Sequence, residues 1–364
     1  MIKKLLIASV LALCATPLLA DGHATAWTDI EAQAKEEGEV TWFVWYFEDR
    51  FREFTQQFTD ETGIKVTIPD GDHASNIDKF LAEANRDAGD IDVLAFGVDR
   101  AGSIPTDMLM TLDNLPEDAG RVTEIVGVDG GNTALGYWGN QTGIAYDPAK
   151  ISQADLPQSV EDFAAFWAAN PGKMGFNYEN GGSGPSFLHN ILRVMSDGAY
   201  DDGALNDDKI AKTDDGIAFF NEYAADYEIT ASNADSLTRL SDGEFTLVPA
   251  WEDHMAGLQN SGEIRSDLAF YIPEMGMFGG GNFIAIPKNA PHPAAAQLFI
   301  AWLTSPEVQT QFNAIFGSMP MNAGSDDSAA LVPNSMRDRQ MPWAQNPFRD
   351  AVLDRFIEDV ILER

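Results

Sequence analysis

Between Glu39 and Gly97 the chain alternates strand-like and helix-like segments with little between them. "EVTWFV" (39–44) is a β-branched and aromatic run that follows the turn-like "EEGE", and it reads as a buried strand. Phe47, Phe51, Phe54 and Phe58 then recur at the spacing of a single helical stripe, with Arg50, Arg52, Glu53, Gln56 and Gln57 on other faces. Gly63 is placed to end that helix. "IKVTI" is a second strand, "NIDKFLAEANRDAG" a second helix and "DIDVLAFG" a third strand. A β-α-β-α-β succession predicts a mainly parallel α/β sheet. In open sheets of this kind, ligands bind beyond the carboxyl ends of the strands. That rule divides the aromatics. Trp42, Phe51, Phe54 and Phe58 read as core, whereas Trp45 and Tyr46 stand where the first strand ends. Asp70, Gly71 and Asp72 follow the second strand and Asp99 the third.

The first residues point to export. "MIKK" is a positive start and "LLIASVLALCATPLLA" an apolar stretch too short for an anchor, with Ala20 or Ala24 suited to cleavage. Residues 1–24 therefore read as a secretory signal peptide, and the mature chain as a periplasmic protein. The one cysteine, Cys14, lies within that leader, preceded by Leu13 where a lipid-attachment site wants a small residue. A mature chain without disulfides must be held by its core. The formal net charge is −34, with acids scattered along the chain rather than gathered in a tail. Such a surface repels nucleic acid and anionic lipid, and it suits solubility in salty surroundings.

The middle of the chain opens a second unit. "ALGYWGNQTGIAYDPAKI" is strand-like around Gly139 and Gly143. "LPQSVEDFAAFWAANPGK" is a helix capped by Ser159, with Glu161 and Asp162 in its first turn. Helices are expected in "SGPSFLHNILRVM" and "TDDGIAFFNEYAADY", and a strand in "GEFTLVPAW". In "LAFYIPEMGMFGGGNFIAIP" two strands are expected to flank a loop rich in Gly and Met. A helix carrying Leu298, Phe299, Trp302 and Leu303 follows, then another opened by Ser305-Pro306-Glu307. "FRDAVLDRFIEDVILER" closes the chain as an amphipathic helix.

Motifs for catalysis are missing. There is no Gly-Lys-Ser/Thr of a phosphate loop, and "GGSGPS" lacks the last glycine of a dinucleotide fingerprint or nucleophile elbow. The five histidines have no zinc spacing, and "DGDHASNID" lacks the calcium-loop pattern. A secreted carbohydrate-active hydrolase needs only two carboxylates and no local motif, so it stands as the alternative.

Three segments carry a family resemblance: "FTQQFTDETGIKV", "YWGNQTGIAYDPAKI" and "NFIAIPKNAPHPAAAQLFIAWLTSPEVQTQF". With them the chain resembles the periplasmic solute-binding proteins of ABC importers, in the class with polyamine-, iron-, thiamine- and sugar-binding members. The resemblance implies a two-lobed α/β fold of type II. Residues 25–138 with 276–312 would form one lobe, and 139–275 with 313–364 the other. It implies a monomer without enzymatic activity, metal or cofactor, which closes on a small molecule and delivers it to a permease in the inner membrane. The cleft expected from it takes Trp45, Tyr46 and Asp72 from strand ends of one lobe. Trp138 and Asn140 come from the crossing, Tyr178, Trp251 and Glu252 from the other lobe, and Gly281 and Asn282 from the return. In Trp251-Glu252-Asp253 an aromatic beside carboxylates suits an ammonium and equally suits a sugar. The iron-binding members carry adjacent tyrosines, and this chain has no Tyr-Tyr pair. A polyamine-like cation and a sugar or polyol remain as the expected solutes.

Overall fold

A computed structural model describes residues 26–332 and 334–364; the leader assigned above and its cysteine lie outside the described residues. Helix α1 (Trp27–Glu37) leads into strand β1 (Glu39–Phe43). Helices α2 (Glu48–Phe54) and α3 (Gln56–Thr62), strand β2 (Lys65–Thr67), helix α4 (His73–Ala82) and strand β3 (Val93–Gly97) follow. β1 pairs in parallel with both β2 and β3, as the alternation predicts. Trp42, Val93 and Ala95 face one apolar layer while Phe43, Leu94 and Phe96 face another. Both faces of this sheet are therefore covered, the usual condition for parallel strands.

The phenylalanine stripe departs from expectation in two ways. Phe51, Phe54 and Phe58 are buried, but the single helix is broken at Thr55. The Thr55 hydroxyl donates to the Phe51 carbonyl at 2.8 Å, and the backbone N–H of Thr55 donates to the same oxygen. Back-bonding of this kind bends a helix. Phe47 is not helical; it sits before α2 with φ 52°, which turns it out of the stripe. Gly63 ends α3 with φ 79°, as expected.

A short hairpin, β4 (Glu124–Ile125) and β5 (Val128–Asp129), precedes β6 (Ala134–Tyr146), a strand of 13 residues. Next come α5 (Val160–Ala169), β7 (Gly175–Phe176), α6 (Ser183–Met195), α7 (Asp207–Ala211), α8 (Asp214–Glu222), β8 (Glu228–Ile229) and α9 (Asn233–Ser241). The Ser159 cap of α5 is completed by Asp162 in a reciprocal box. β9 (Leu247–Trp251) runs directly into α10 (Glu252–Ser261). β10 (Ala269–Tyr271), β11 (Met277–Ala285), α11 (Pro293–Leu303), α12 (Pro306–Phe316), β12 (Gln340–Met341) and α13 (Phe348–Phe356) complete the chain. The glycine run expected as a loop is strand: Gly279, Gly280 and Gly281 lie inside β11. The reason is close approach, since a Cβ on Gly281 would stand 2.3 Å from the Trp138 carbonyl oxygen.

β6 changes partner along its length within one eight-stranded sheet. Its first part pairs antiparallel with β11, from Ala134 opposite Ala285 to Gln141 opposite Gly279. Its last part pairs with β9, Thr142 opposite Trp251, and with β10, Tyr146 opposite Ala269. β11 also pairs antiparallel with β3, which makes the sheet mixed. Beyond the crossing a separate core gathers Phe163, Trp167, Phe176, Phe187, Phe220 and Leu247. The C-terminal helix returns to that core through Phe348, Val352 and Phe356. The segment before it is tied down by a buried ion pair, in which both arms of the Arg337 guanidinium meet Glu252 at 2.8 and 3.0 Å.

Two outcomes test this packing. Phe58 is fully buried against Phe299 and Trp302, so Phe58→Ala should lower unfolding free energy by about 3–5 kcal/mol in urea titrations. Burial raises the Glu252 carboxyl from 4.5 to about 7, with Arg337 pulling it back. A carboxyl raised on folding contributes stability that is present below 4.5 and lost as pH rises through 7. Glu252→Gln removes that loss. Across this interval the variant should gain on the parent by something on the order of 3 kcal/mol, read as the pH dependence of the difference between their urea midpoints.

Candidate functional site

A cavity of about 630 Å³ lies between the two cores, within the size range of small-molecule sites. It is built mostly from chain ends. Trp45, Tyr46 and Phe47 follow β1, His73 opens α4, and Val98 and Asp99 follow β3. Asn140, Gly281 and Asn282 come from the paired strands at the crossing. From the other core, the entry to α6 supplies Gly182 and Pro185. The junction of β9 and α10 supplies Trp251, Asp253 and His254.

Aromatic rings stand on both sides of the cavity, and several are held in place by specific contacts. Trp45 stacks on His73 with centroids 3.8 Å apart and planes within 9°. His73 Nε2 accepts the Gly97 N–H at 3.1 Å, so the imidazole that orients Trp45 is fixed by the end of β3. Tyr46 hydrogen-bonds the Tyr137 hydroxyl at 2.8 Å and accepts from Asn282 Nδ2 at 2.8 Å. On the opposite side Trp251, Trp343 and Phe278 form a stack with spacings of 5.7 and 5.4 Å. Trp251 comes from β9, Phe278 from β11 and Trp343 from the stretch before α13.

The charges are uneven. Three carboxylates, Asp99, Asp253 and Asp350, face the cavity against one guanidinium, Arg349. Arg349 is already engaged, with Asp99 at 3.1 Å and Asp350 at 3.2 Å. The three histidines on the wall add no positive charge near neutral pH. Burial pushes His73 down to about 4 and His189 to about 3, and it lowers His254 too. Asp253 accepts from Trp138 Nε1 at 3.1 Å and from the His254 N–H at 2.8 Å. Burial nevertheless holds its pKa above the ordinary value, because two donors do not replace the water a carboxylate gives up. This is a carboxylate that a cation would stabilise.

The ten residues singled out in the sequence divide. Trp45, Tyr46, Asn140, Trp251, Gly281 and Asn282 line the cavity. Asp72 does not; it caps α4, its side chain accepting the Ser75 N–H at 2.9 Å. Trp138 is fully buried among Tyr46, Phe51, Phe312 and Phe316, and does not line the cavity; it backs Tyr46 and donates to Asp253, which do. Tyr178 packs against the second core. Glu252 turns away to Arg337, and the next residue, Asp253, faces the cavity; one step along the helix rotates a side chain by about 100°. Sequence reasoning had no hold on Trp343, Arg349 or His189. Met277, in the stretch expected as a Gly- and Met-rich loop, is part of the second core.

Among the described residues no group of three or more His, Cys, Asp or Glu side chains is placed to hold a metal ion. None of their helices is long and apolar enough to cross a membrane.

Comparison with solved structures places the fold. An extracellular solute-binding protein from Bordetella parapertussis matches with TM-score 0.66 and 18% identity, over 89% of this chain and 98% of that one. RafE in complex with raffinose matches with TM-score 0.68 and 16% identity, over 88% and 97%. Iron-bound HitA from Pseudomonas aeruginosa matches with TM-score 0.60 and 22% identity, over 90% and 98%. At these identities the likeness is one of fold, a two-lobed α/β architecture. No curated protein sequence matches the chain. The model of the bacterial extracellular solute-binding proteins, however, matches residues 53–337, which takes in most of both cores, the crossing strands and the wall of the cavity from His73 to Asn282, and the chain belongs to that family.

Proposed function

We propose that the chain is the periplasmic capture subunit of an ABC importer, and that its solute is an organic ammonium ion. The observation that carries the ammonium is Asp253: a buried carboxylate on a cavity wall that also carries Trp45, Tyr46, Trp251 and Trp343. Ring faces attract a cation, more so away from water. The carboxylate supplies a charge-assisted hydrogen bond. Neutral histidines do not oppose it, and the one guanidinium is occupied by two aspartates.

In this reading the lobes are residues 25–138 with the return segment from 276, and 139–275 with the C-terminal stretch. Phe312, Phe316 and Met321 pack with the first core, so the return segment is drawn to Met321 rather than to 312. The hinge is the β6–β11 pair. Closure brings Trp45 and Tyr46 against Trp251 and Trp343 with the solute between them, and the closed monomer then docks on a permease in the inner membrane. Nothing in the family match supports the hydrolase alternative.

A thermal-shift screen of amines, sugars, polyols, amino acids and thiamine tests this. A ligand at 100 times its dissociation constant adds about 2.7 kcal/mol, enough to raise the melting point by several degrees. Shifts confined to amines are the expected result; shifts confined to sugars or polyols would overturn the ammonium. Trp251→Ala should weaken the bound amine by about tenfold or more, at least about 1.4 kcal/mol. Asp253→Asn should weaken it by a similar factor, and an unchanged dissociation constant in calorimetry would remove Asp253 from the site.

A further inference from the structure

His189 lies on α6, one turn beyond Pro185, and both line the cavity. Its side chain is buried, the residue 1% exposed. Nδ1 is 3.0 Å from the Tyr200 hydroxyl, while Nε2 has no hydrogen-bond partner among the described residues. Tyr200 is not part of the cavity wall. His189 thus lines the cavity with one ring nitrogen engaged by Tyr200 and the other, Nε2, turned from Tyr200 and unpartnered among the described residues.

The tautomer follows from the partners. Among the described residues, Nδ1 of His189 is the one hydrogen-bond partner of the Tyr200 hydroxyl. Burial raises the Tyr200 pKa, so the phenol keeps its proton. A buried phenol proton needs an acceptor, and only Nδ1 is in reach. The imidazole is neutral, pushed down to about 3 by burial and by nearby Arg349. With Nδ1 accepting, its single proton sits on Nε2. The ring thus offers an N–H donor that nothing among the described residues satisfies.

We infer that His189 is a specificity-determining contact, and that the solute bears an oxygen acceptor (hydroxyl, carbonyl or carboxylate) for Nε2–H as well as its ammonium. This rests on the ammonium reading above and narrows it. A diamine would set its second ammonium against an N–H donor with the Arg349 guanidinium nearby, an unfavourable meeting that discriminates against it.

The test uses three probes of one length, 4-aminobutan-1-ol, n-butylamine and 1,4-diaminobutane, titrated calorimetrically at about pH 7. The amino alcohol should bind about fivefold tighter than butylamine, and the diamine no tighter than butylamine. His189→Phe should bring the ratio of the first two below about twofold. Tyr200→Phe, which frees Nδ1 to carry the proton, should shrink it too. Nitrogen-15 spectra of the unmodified protein should show His189 protonated at Nε2, a readout that needs no variant to fold. Amines that bind without the acceptor preference, a preference that survives His189→Phe, or a ring protonated at Nδ1 would each overturn the inference while leaving the ammonium reading intact. Absence of any amine binding would overturn the ammonium reading, and this inference with it.

Discussion

The site depends on one pair of antiparallel strands. β6 is hydrogen-bonded to β11 as far as Gln141 and to β9 from Thr142 onward. One strand thus serves both parts of a single sheet, and each part has its own core. Asn140, Gly281 and Asn282 line the cavity because they lie at that change of partner. The strand itself packs into both cores, Leu135, Tyr137 and Trp138 into the first and Ile144 and Ala145 into the second. The glycines of β11 belong to the same constraint, because side chains there would meet Trp138 and Gln141 and hold the strands apart.

Across this crossing the two halves divide the chemistry. The first core presents flat rings at its strand ends, with Trp45 braced by His73 and Tyr46 by Tyr137 and Asn282. The second presents Trp251 with the carboxylate of Asp253. Trp138 joins them, since it is packed in the first core yet donates to Asp253 in α10. The direction of that carboxylate is therefore set in part by a residue of the other core, whereas Trp45 and Tyr46 are braced within their own half.

The parts legible in the sequence were those governed by local rules. Periodicity marked β1, β2 and β3, the α5 cap and the core phenylalanines, and the strand-end rule picked out Trp45 and Tyr46. What escaped depends on contacts between distant segments. Trp138 looks like a cleft aromatic at the crossing, but Phe312 and Phe316 cover it from nearly two hundred residues away. Asp72 had a local competitor for its carboxylate in the first turn of α4. Glu252 and Asp253 are adjacent and chemically alike, and only Arg337 decides which of them turns to the cavity. Trp343 and Arg349 come from a stretch without periodicity, and the path that brings it to the cavity is set by Glu252 and by α13 packing on the second core. His189 reads as one polar position in an apolar helix.

The Arg349–Asp99 pair adds a further contact between the halves, because α13 packs on the second core and Asp99 follows β3 of the first. Both side chains keep some access to water, at 17% and 23%, and a pair of this kind contributes about 1 kcal/mol or less. That is too little to hold the halves together alone, and it weakens further with salt. On the reading proposed above, the pair narrows the difference between open and closed forms, and a solute shifts that balance only by its preference for the closed one. Asp253 is buried and takes a hydrogen bond from Trp138 of the other core, so in that reading an ammonium meeting it engages both halves at once. A neutral solute resting on the rings of one half would engage only that half.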